Sequence, residues 1–158
     1  MKRPWNRTDL NIYSLASYNN KEINMNICTY VSVVNMHPKS YMISIDYKTL
    51  TYHNLNNNNT SFVLQCLSKK NINIVKNLGK KSGKNFNKIK YLSKNNLLSN
   101  WKNYLVLKNT CFLIELYNPK KVYEMKDHCI FVFQMKSFKN FDNKFLHFSD
   151  LVNNKIIL

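Results

Sequence analysis

Glycine and proline are scarce, 2 and 3 among 158 residues. Collagen-like, glycine-linker and proline-rich architectures are therefore excluded. Acidic residues number 8 against 24 Lys+Arg, and arginine is nearly missing: 22 of the 24 are Lys, leaving Arg3 and Arg7. Ala16 is the single alanine. No apolar run approaches the roughly 20 residues of a membrane span. The longest, 111–114 and 129–133, are strand-sized, and no membrane association is expected. The basic start Met1-Lys2-Arg3-Pro4-Trp5-Asn6-Arg7 has no apolar stretch behind it, which argues against a secretory signal. Cys28, Cys66, Cys111 and Cys129 lie far apart in apolar stretches, without a CxxC pair. They read as small buried hydrophobes of a reducing, cytoplasmic compartment. The four His (His37, His53, His128, His147) have no zinc spacing, so no metal site is expected.

What is present is 44% hydrophobic residues in 18.8 kDa, enough for one core. We read 1–158 as one domain, with 1–9 as an N-terminal arm. The formal charge of +16 and pI of 9.8 point at first sight to a polyanion. The composition supplies another source. Asn occurs 27 times, and Ile, Tyr and Phe are abundant. With Lys, these residues share A/T-rich codons, so an AT-rich genome yields the same charge. A chain selected for phosphate backbones would use the bidentate fork of Arg. Specific nucleic-acid binding is not expected, although a basic nucleic-acid-binding protein of ribosomal type stays the alternative.

Strands are expected at 12–16, 27–34, 41–47, 62–67, 111–117 and 129–135 from β-branched enrichment and alternation. The asparagine-rich patch 54–60 reads as a surface loop. Ser68 can cap a helix in which Ile72, Val75 and Leu78 recur before Gly79 ends it, and a second short helix covers 87–92. The order gives a mostly β barrel with one or two peripheral helices, not alternating βαβ.

Three motifs carry chemistry. Gly79-Lys80-Lys81-Ser82-Gly83-Lys84 has three residues between its glycines and Asn85 after Lys84, so the P-loop spacing fails. A basic Ser/Gly loop can still meet a phosphate, or can be a solvated loop. Lys48-Thr49-Leu50-Thr51 offers two hydroxyls and an ammonium at a helix start, a phosphate seat or an N-cap. Asp127-His128 is an acid/base pair without a Ser or Cys partner, or a structural pair.

The order of these motifs resembles the flavin reductase-like family. Asn24-Met25-Asn26-Ile27-Cys28-Thr29-Tyr30-Val31-Ser32-Val33-Val34-Asn35-Met36-His37-Pro38-Lys39 is similar to that family's second strand and turn. Lys48–Thr51 then stands at its Thr-containing phosphate turn, and Phe62-Val63-Leu64-Gln65-Cys66-Leu67-Ser68 at its Phe-Val strand into a helix. Leu78-Gly79, Ser82-Gly83 and Asn87-Lys88-Ile89 resemble the following loop, and Asp127-His128-Cys129-Ile130-Phe131-Val132-Phe133 its Gly-Asp-His strand. The resemblance covers about residues 10–152. Lys126 replaces the usual Gly before Asp-His, and Leu50 a common basic residue.

The resemblance implies an FMN-binding split β-barrel and an NAD(P)H:flavin oxidoreductase, a flavoprotein using FMN, with FAD as the alternative. Asn26, Cys28, Thr29 and Tyr30 would line the ring, with Asp46 and Tyr47 approaching its other side. Thr49 and Thr51, helped by Lys48, would hold the 5′-phosphate. Lys80, Lys81 and Ser82 would close over that phosphate or a nicotinamide nucleotide. His128 would be the catalytic residue, near the ring or the nicotinamide. Hydride transfer needs the reacting atoms aligned at about 3–3.5 Å more than it needs a strong acid or base. A homodimer is implied, with a partner oxygenase or another acceptor taking the reduced flavin. A flavin-binding split barrel without turnover is the third reading.

Overall fold

The structure, a computed structural model, describes residues 4–20 and 22–157. Arg3, part of the basic start, lies outside them. Strands β1 (Tyr13–Tyr18), β2 (Ile23–Met25), β3 (Val31–Met36), β4 (Lys39–Asp46), β5 (Ser61–Cys66), β8 (Phe112–Glu124) and β9 (His128–Asn140) form one antiparallel sheet in the order β2-β1-β5-β8-β9-β4-β3. A separate hairpin pairs β6 (Leu98–Trp101) with β7 (Tyr104–Leu107). The helices are α1 (Leu50–Leu55), α2 (Val75–Lys80), α3 (Lys88–Lys94) and α4 (Phe148–Asn153), with 3₁₀ turns at Pro4–Asn6 and Lys69–Ile74.

The sheet buries both faces where it is central. On one face Leu15, Ile43, Phe62, Leu64, Ile114, Phe131 and Phe133 fill the barrel, with the Phe62 and Phe133 rings edge-on at 5.4 Å. On the other, Ala16, Val63 and Leu113 pack under Val75, Leu78, Leu92, Trp101 and Leu151 from the helices and the β6–β7 hairpin. Hence β5 is buried at every position after Ser61, rather than at alternate ones, and each fully buried Leu or Phe contributes about 1.5–3 kcal/mol. The 13-residue strands β8 and β9 pair with register shifts at Glu115/Leu116, Tyr117/Lys120 and Lys121/Tyr123. Such bulges bend the ribbon around the barrel.

Closure of the barrel is irregular. Segment 26–30 bridges β1 to β4 without being a strand. Cys28 exchanges backbone hydrogen bonds with Tyr13 (2.8 and 2.9 Å), and Ser44 N–H donates to Tyr30 C=O at 3.1 Å. The expected strand 27–34 is thus two pieces. The break has a nonlocal cause: Asn26 Oδ1 accepts the Leu15 N–H at 2.8 Å, drawing that end onto β1. β3 starts only at Val31, on the sheet edge, with residues 32–36 exposed.

Other expectations are corrected too. Four α helices are present among the described residues, not one or two. Ser68 does cap, with Lys70 N–H donating to its hydroxyl, but a 3₁₀ turn precedes α2. Gly79 lies inside α2 rather than ending it, and its backbone faces Ile27. The patch 54–60 is a loop only from Asn56. Asn54 and Leu55 are buried in α1, where Asn54 Nδ2 donates to Ser17 Oγ at 2.9 Å. Cys66, Cys111 and Cys129 are buried as expected, and all four cysteines are free. Five non-glycine residues occupy left-handed backbone: Asn96, Lys102, Asn109, Asn118 and Lys155, while no glycine does.

Candidate functional site

The irregular closure opens a cleft of about 130 Å³ between segment 26–30, the end of β4 and the start of β9. Seven of the residues singled out in the sequence meet in it: Asn26, Cys28, Thr29, Tyr30, Asp46, Thr49 and His128. Segment 26–30 leaves the sheet ladder, so its backbone is only partly used. Neither the Thr29 nor the Tyr30 N–H donates to a described residue, and both residues line the cleft. Asn26 commits its Oδ1 to Leu15, which leaves its amide N–H₂ as the free end. This combination gives a wall of N–H donors without partners among the described residues on a half-buried segment.

His128 pairs across β9–β4 with Asp46. Its Nδ1 lies 2.9 Å from Asp127 Oδ1, and its ring stands edge-on to Tyr30 at 6.0 Å. The hydrogen bond from His128 holds the Asp127 carboxyl below its ordinary value. It also orients the imidazole so that Nε2 is the free nitrogen. Cys28 lines the same wall, where burial pushes its thiol up to about 12. It is an inert apolar lining, not a nucleophile.

Thr49 is the N-cap of α1: its Oγ1 accepts from Tyr52 N–H at 3.1 Å and donates to Asp46 C=O at 2.7 Å. It nevertheless lines the cleft, so cap and phosphate seat coincide. Thr51 does not. The helix turns it inward, fully buried, with Oγ1 accepting from Asn24 Nδ2 at 3.3 Å. The expected two-hydroxyl rim is therefore one hydroxyl. Tyr47 also lies off the cleft. Its hydroxyl donates to Met125 C=O at 2.9 Å, and its ring packs edge-on against Tyr52 at 4.9 Å. Lys48 is exposed beside Thr49, its N–H donating to Asp46 Oδ1. Lys80, Lys81 and Ser82 form an exposed segment anchored at both ends. Gly79 abuts Ile27 of the cleft wall, and Gly83 abuts Leu50 and Asn24. A Cβ on Gly83 would collide with Asn24 Oδ1, so a side chain there would have to push the Asn24 amide aside.

Ile27, Ser44 and Ile45 also line the cleft and escaped the sequence reading. Alternation in β4 places Ser44 on the face of Asp46, a signal sufficient to find it. At about 130 Å³ the cleft is below the ~300–1,000 Å³ of a complete small-molecule site.

An antiparallel barrel split by an irregular segment, with a donor-lined cleft at the split, defines a split-barrel protein with a candidate site at the split. The sequence model described as "Flavin reductase like domain" matches residues 12–152, and the chain belongs to that family. Solved structures share the fold at low identity. Flavin reductase PheA2 in its native state is 14% identical with a TM-score of 0.72, over 90% of this chain and 87% of its own. The FMN-binding protein from Thermus thermophilus with bound 1-cyclohex-2-enone is 15% identical (TM-score 0.71; 89% and 75% covered). The styrene monooxygenase flavin reductase from Pseudomonas putida S12 is 11% identical (TM-score 0.74; 94% and 91% covered). No curated protein matches the chain. Among the described residues no helix is long and apolar enough to cross a membrane, and no cluster of His, Cys, Asp or Glu suits a metal ion.

Proposed function

We propose that this chain is an FMN-dependent oxidoreductase of the flavin reductase type, transferring hydride from NAD(P)H to flavin. The observation that carries the reading is the donor-lined cleft at the barrel split, in a chain of this family. Bound there, a flavin would supply the redox-active ring and its electronics. The Thr29 and Tyr30 N–H groups and the Asn26 amide would bind its polar edge. Thr49, with Lys48 and the Lys80-Lys81-Ser82 segment, would bind the phosphate. Cys28, Ile27 and Ile45 exclude water from the apolar side. His128 would hold or give up a proton at Nε2, with Asp127 fixing the ring. The net charge of +16 favours anionic cofactors generally.

We further propose a homodimer, with the partner copy supplying the missing wall. Supporting this, Tyr30, Val33, Val34 and Met36 are exposed along the edge strand beside the cleft, Met36 by 58%. On the outer face of β4 and β9, Met42, Ile130 and Val132 are only half-buried. A reducing, cytoplasmic setting suits four free cysteines.

The test is an anaerobic titration of FMN-loaded protein with NADH and NADPH. Bleaching of the yellow protein is expected. A preparation that stays colourless with added FMN and oxidises neither donor refutes the proposal. Yellow protein that no donor bleaches would leave a flavin-binding barrel without turnover. Steeply salt-dependent RNA binding without flavin would instead favour the nucleic-acid reading.

A further inference from the structure

A further cleft, of about 370 Å³, lies between the C-terminal end of α1 with the loop after it, the start of β5 and the middle of β8. It shares no lining residue with the cleft at the split, and β9 and β4 stand between it and the edge strand β3. We infer that it binds a neutral hexopyranose unit. The inference is independent of the flavin reading and starts from Thr60. The Thr60 hydroxyl is buried at the cleft wall and has no hydrogen-bond partner. A buried hydroxyl is costly until something pairs with it. Asn58 and Asn118 line the same cleft, and neither side-chain amide bonds to a described residue. Asn118 sits in the register shift between Tyr117 and Lys120, in left-handed backbone (φ 52°). Such a bulge re-aims a side chain that regular alternation would place elsewhere.

The charged groups of the lining argue against an ionic occupant. Glu115 is its one acid and is buried. Its Oε1 accepts from the Tyr104 hydroxyl at 3.0 Å and pairs with Lys136 at 3.3 Å. Its Oε2 accepts from Ser137 at 2.8 Å and from Lys102. With each oxygen engaged twice, the carboxylate has no lone pair left for a cation. Its buried negative charge opposes an anion, and Lys136, the one ammonium of the lining, is already drawn to it. The groups that remain, one hydroxyl and two amides, both donate and accept. Sugar hydroxyls do the same, and a vicinal pair of them matches the two ends of a planar amide. Tyr117, 44% exposed, lines the cleft with an aromatic ring on which the C–H face of a pyranose can rest. The volume falls inside the ~300–1,000 Å³ range of complete ligand sites.

The test titrates methyl α-D-glucopyranoside, methyl α-D-mannopyranoside and methyl β-D-galactopyranoside into flavin-free, isotope-labelled full chain and follows its backbone amide resonances. At least one of the three should bind in the millimolar range and shift Thr60 and Asn118. Thr60→Val and Asn118→Gly should each weaken that sugar at least threefold, and the pair at least tenfold. Glycine accepts the left-handed backbone at position 118, so the second variant keeps the bulge. Tyr117→Ala should weaken binding several-fold, while Tyr123→Ala, an equally exposed ring outside the cleft, should leave it unchanged. Glucuronate and glucosamine should bind less tightly than the neutral sugar. Absence of shifts with all three glycosides overturns the inference. Shifts that the Thr60 and Asn118 variants leave untouched, or a preference for a charged sugar or inorganic phosphate, overturn it as well.

Discussion

Replacing Lys88 by Met should leave the protein as stable or more so at neutral pH, with an advantage that shrinks as pH rises. Burial lowers Lys88 from its ordinary 10.5 to about 8. Between those values the unfolded chain holds the proton and the folded chain has lost it, so wild-type stability gains from rising pH. Below about 8 the folded protein carries the full penalty of a charged, desolvated amine. At ~1.4 kcal/mol per pH unit that penalty is about 3 kcal/mol. Methionine removes it but orphans the Leu78 carbonyl, which costs ~1–3 kcal/mol. The net at pH 7 is a stabilisation of roughly 0–2 kcal/mol. By pH 9 the wild type has recovered roughly 1 kcal/mol, so the variant's advantage falls by that amount. Urea unfolding at pH 7, 8 and 9 measures it. The thiols that burial pushes up, Cys28 among them, titrate in the same range but cancel between the two proteins. Parallel pH curves for wild type and variant would refute the reasoning.

Burial alone would raise Glu115, but hydrogen bonds from Lys102, Ser137, Tyr104 and Lys136 hold it at about 2. Its ordinary value is 4.5, so it contributes about 3 kcal/mol above pH 4.5 that is lost as pH falls towards 2. Glu115→Gln should flatten that acid limb in unfolding curves at pH 3 and 7. Thr49→Ala should weaken FMN binding by about 1–3 kcal/mol, whereas Thr51→Val should leave it within twofold. Flavin fluorescence titration checks both, and equal losses would mean the phosphate lies elsewhere. Val34→Lys with Met36→Lys should convert the dimer to monomer in analytical ultracentrifugation, and an unchanged sedimentation coefficient would place the interface on another face.

Local patterning made most of the barrel legible. β4, β5 and the first half of β9 lie within a residue or two of where alternation or apolar runs put them. Two misreadings share a cause: a decisive partner elsewhere in the chain. The β-branched run 27–34 continues through the break that Asn26 makes by capturing Leu15. Thr51 is drawn inward by Asn24, 27 residues distant. The β6–β7 hairpin hides because Lys102 takes the left-handed position in its turn, where a glycine or asparagine would have signalled one. In the site, the closing segment, the Asp-His pair and the capping Thr49 were readable from motif order. The larger cleft between β2, the start of α1, loop 82–87 and α3 was not, since only tertiary packing brings those walls together.

The five left-handed residues bear on how a chain almost without glycine makes its corners. Three are asparagine, whose small polar side chain tolerates that conformation best among non-glycine residues, and two are lysine. Of the two glycines, Gly83 packs so close to Asn24 and Leu50 that a side chain would displace them. The corners thus rest on residues that bear a steric cost of roughly 1 kcal/mol each. That leaves untapped resilience in the fold: glycine in place of Lys155 should make it hardier, whereas Lys102 must stay to hold Glu115.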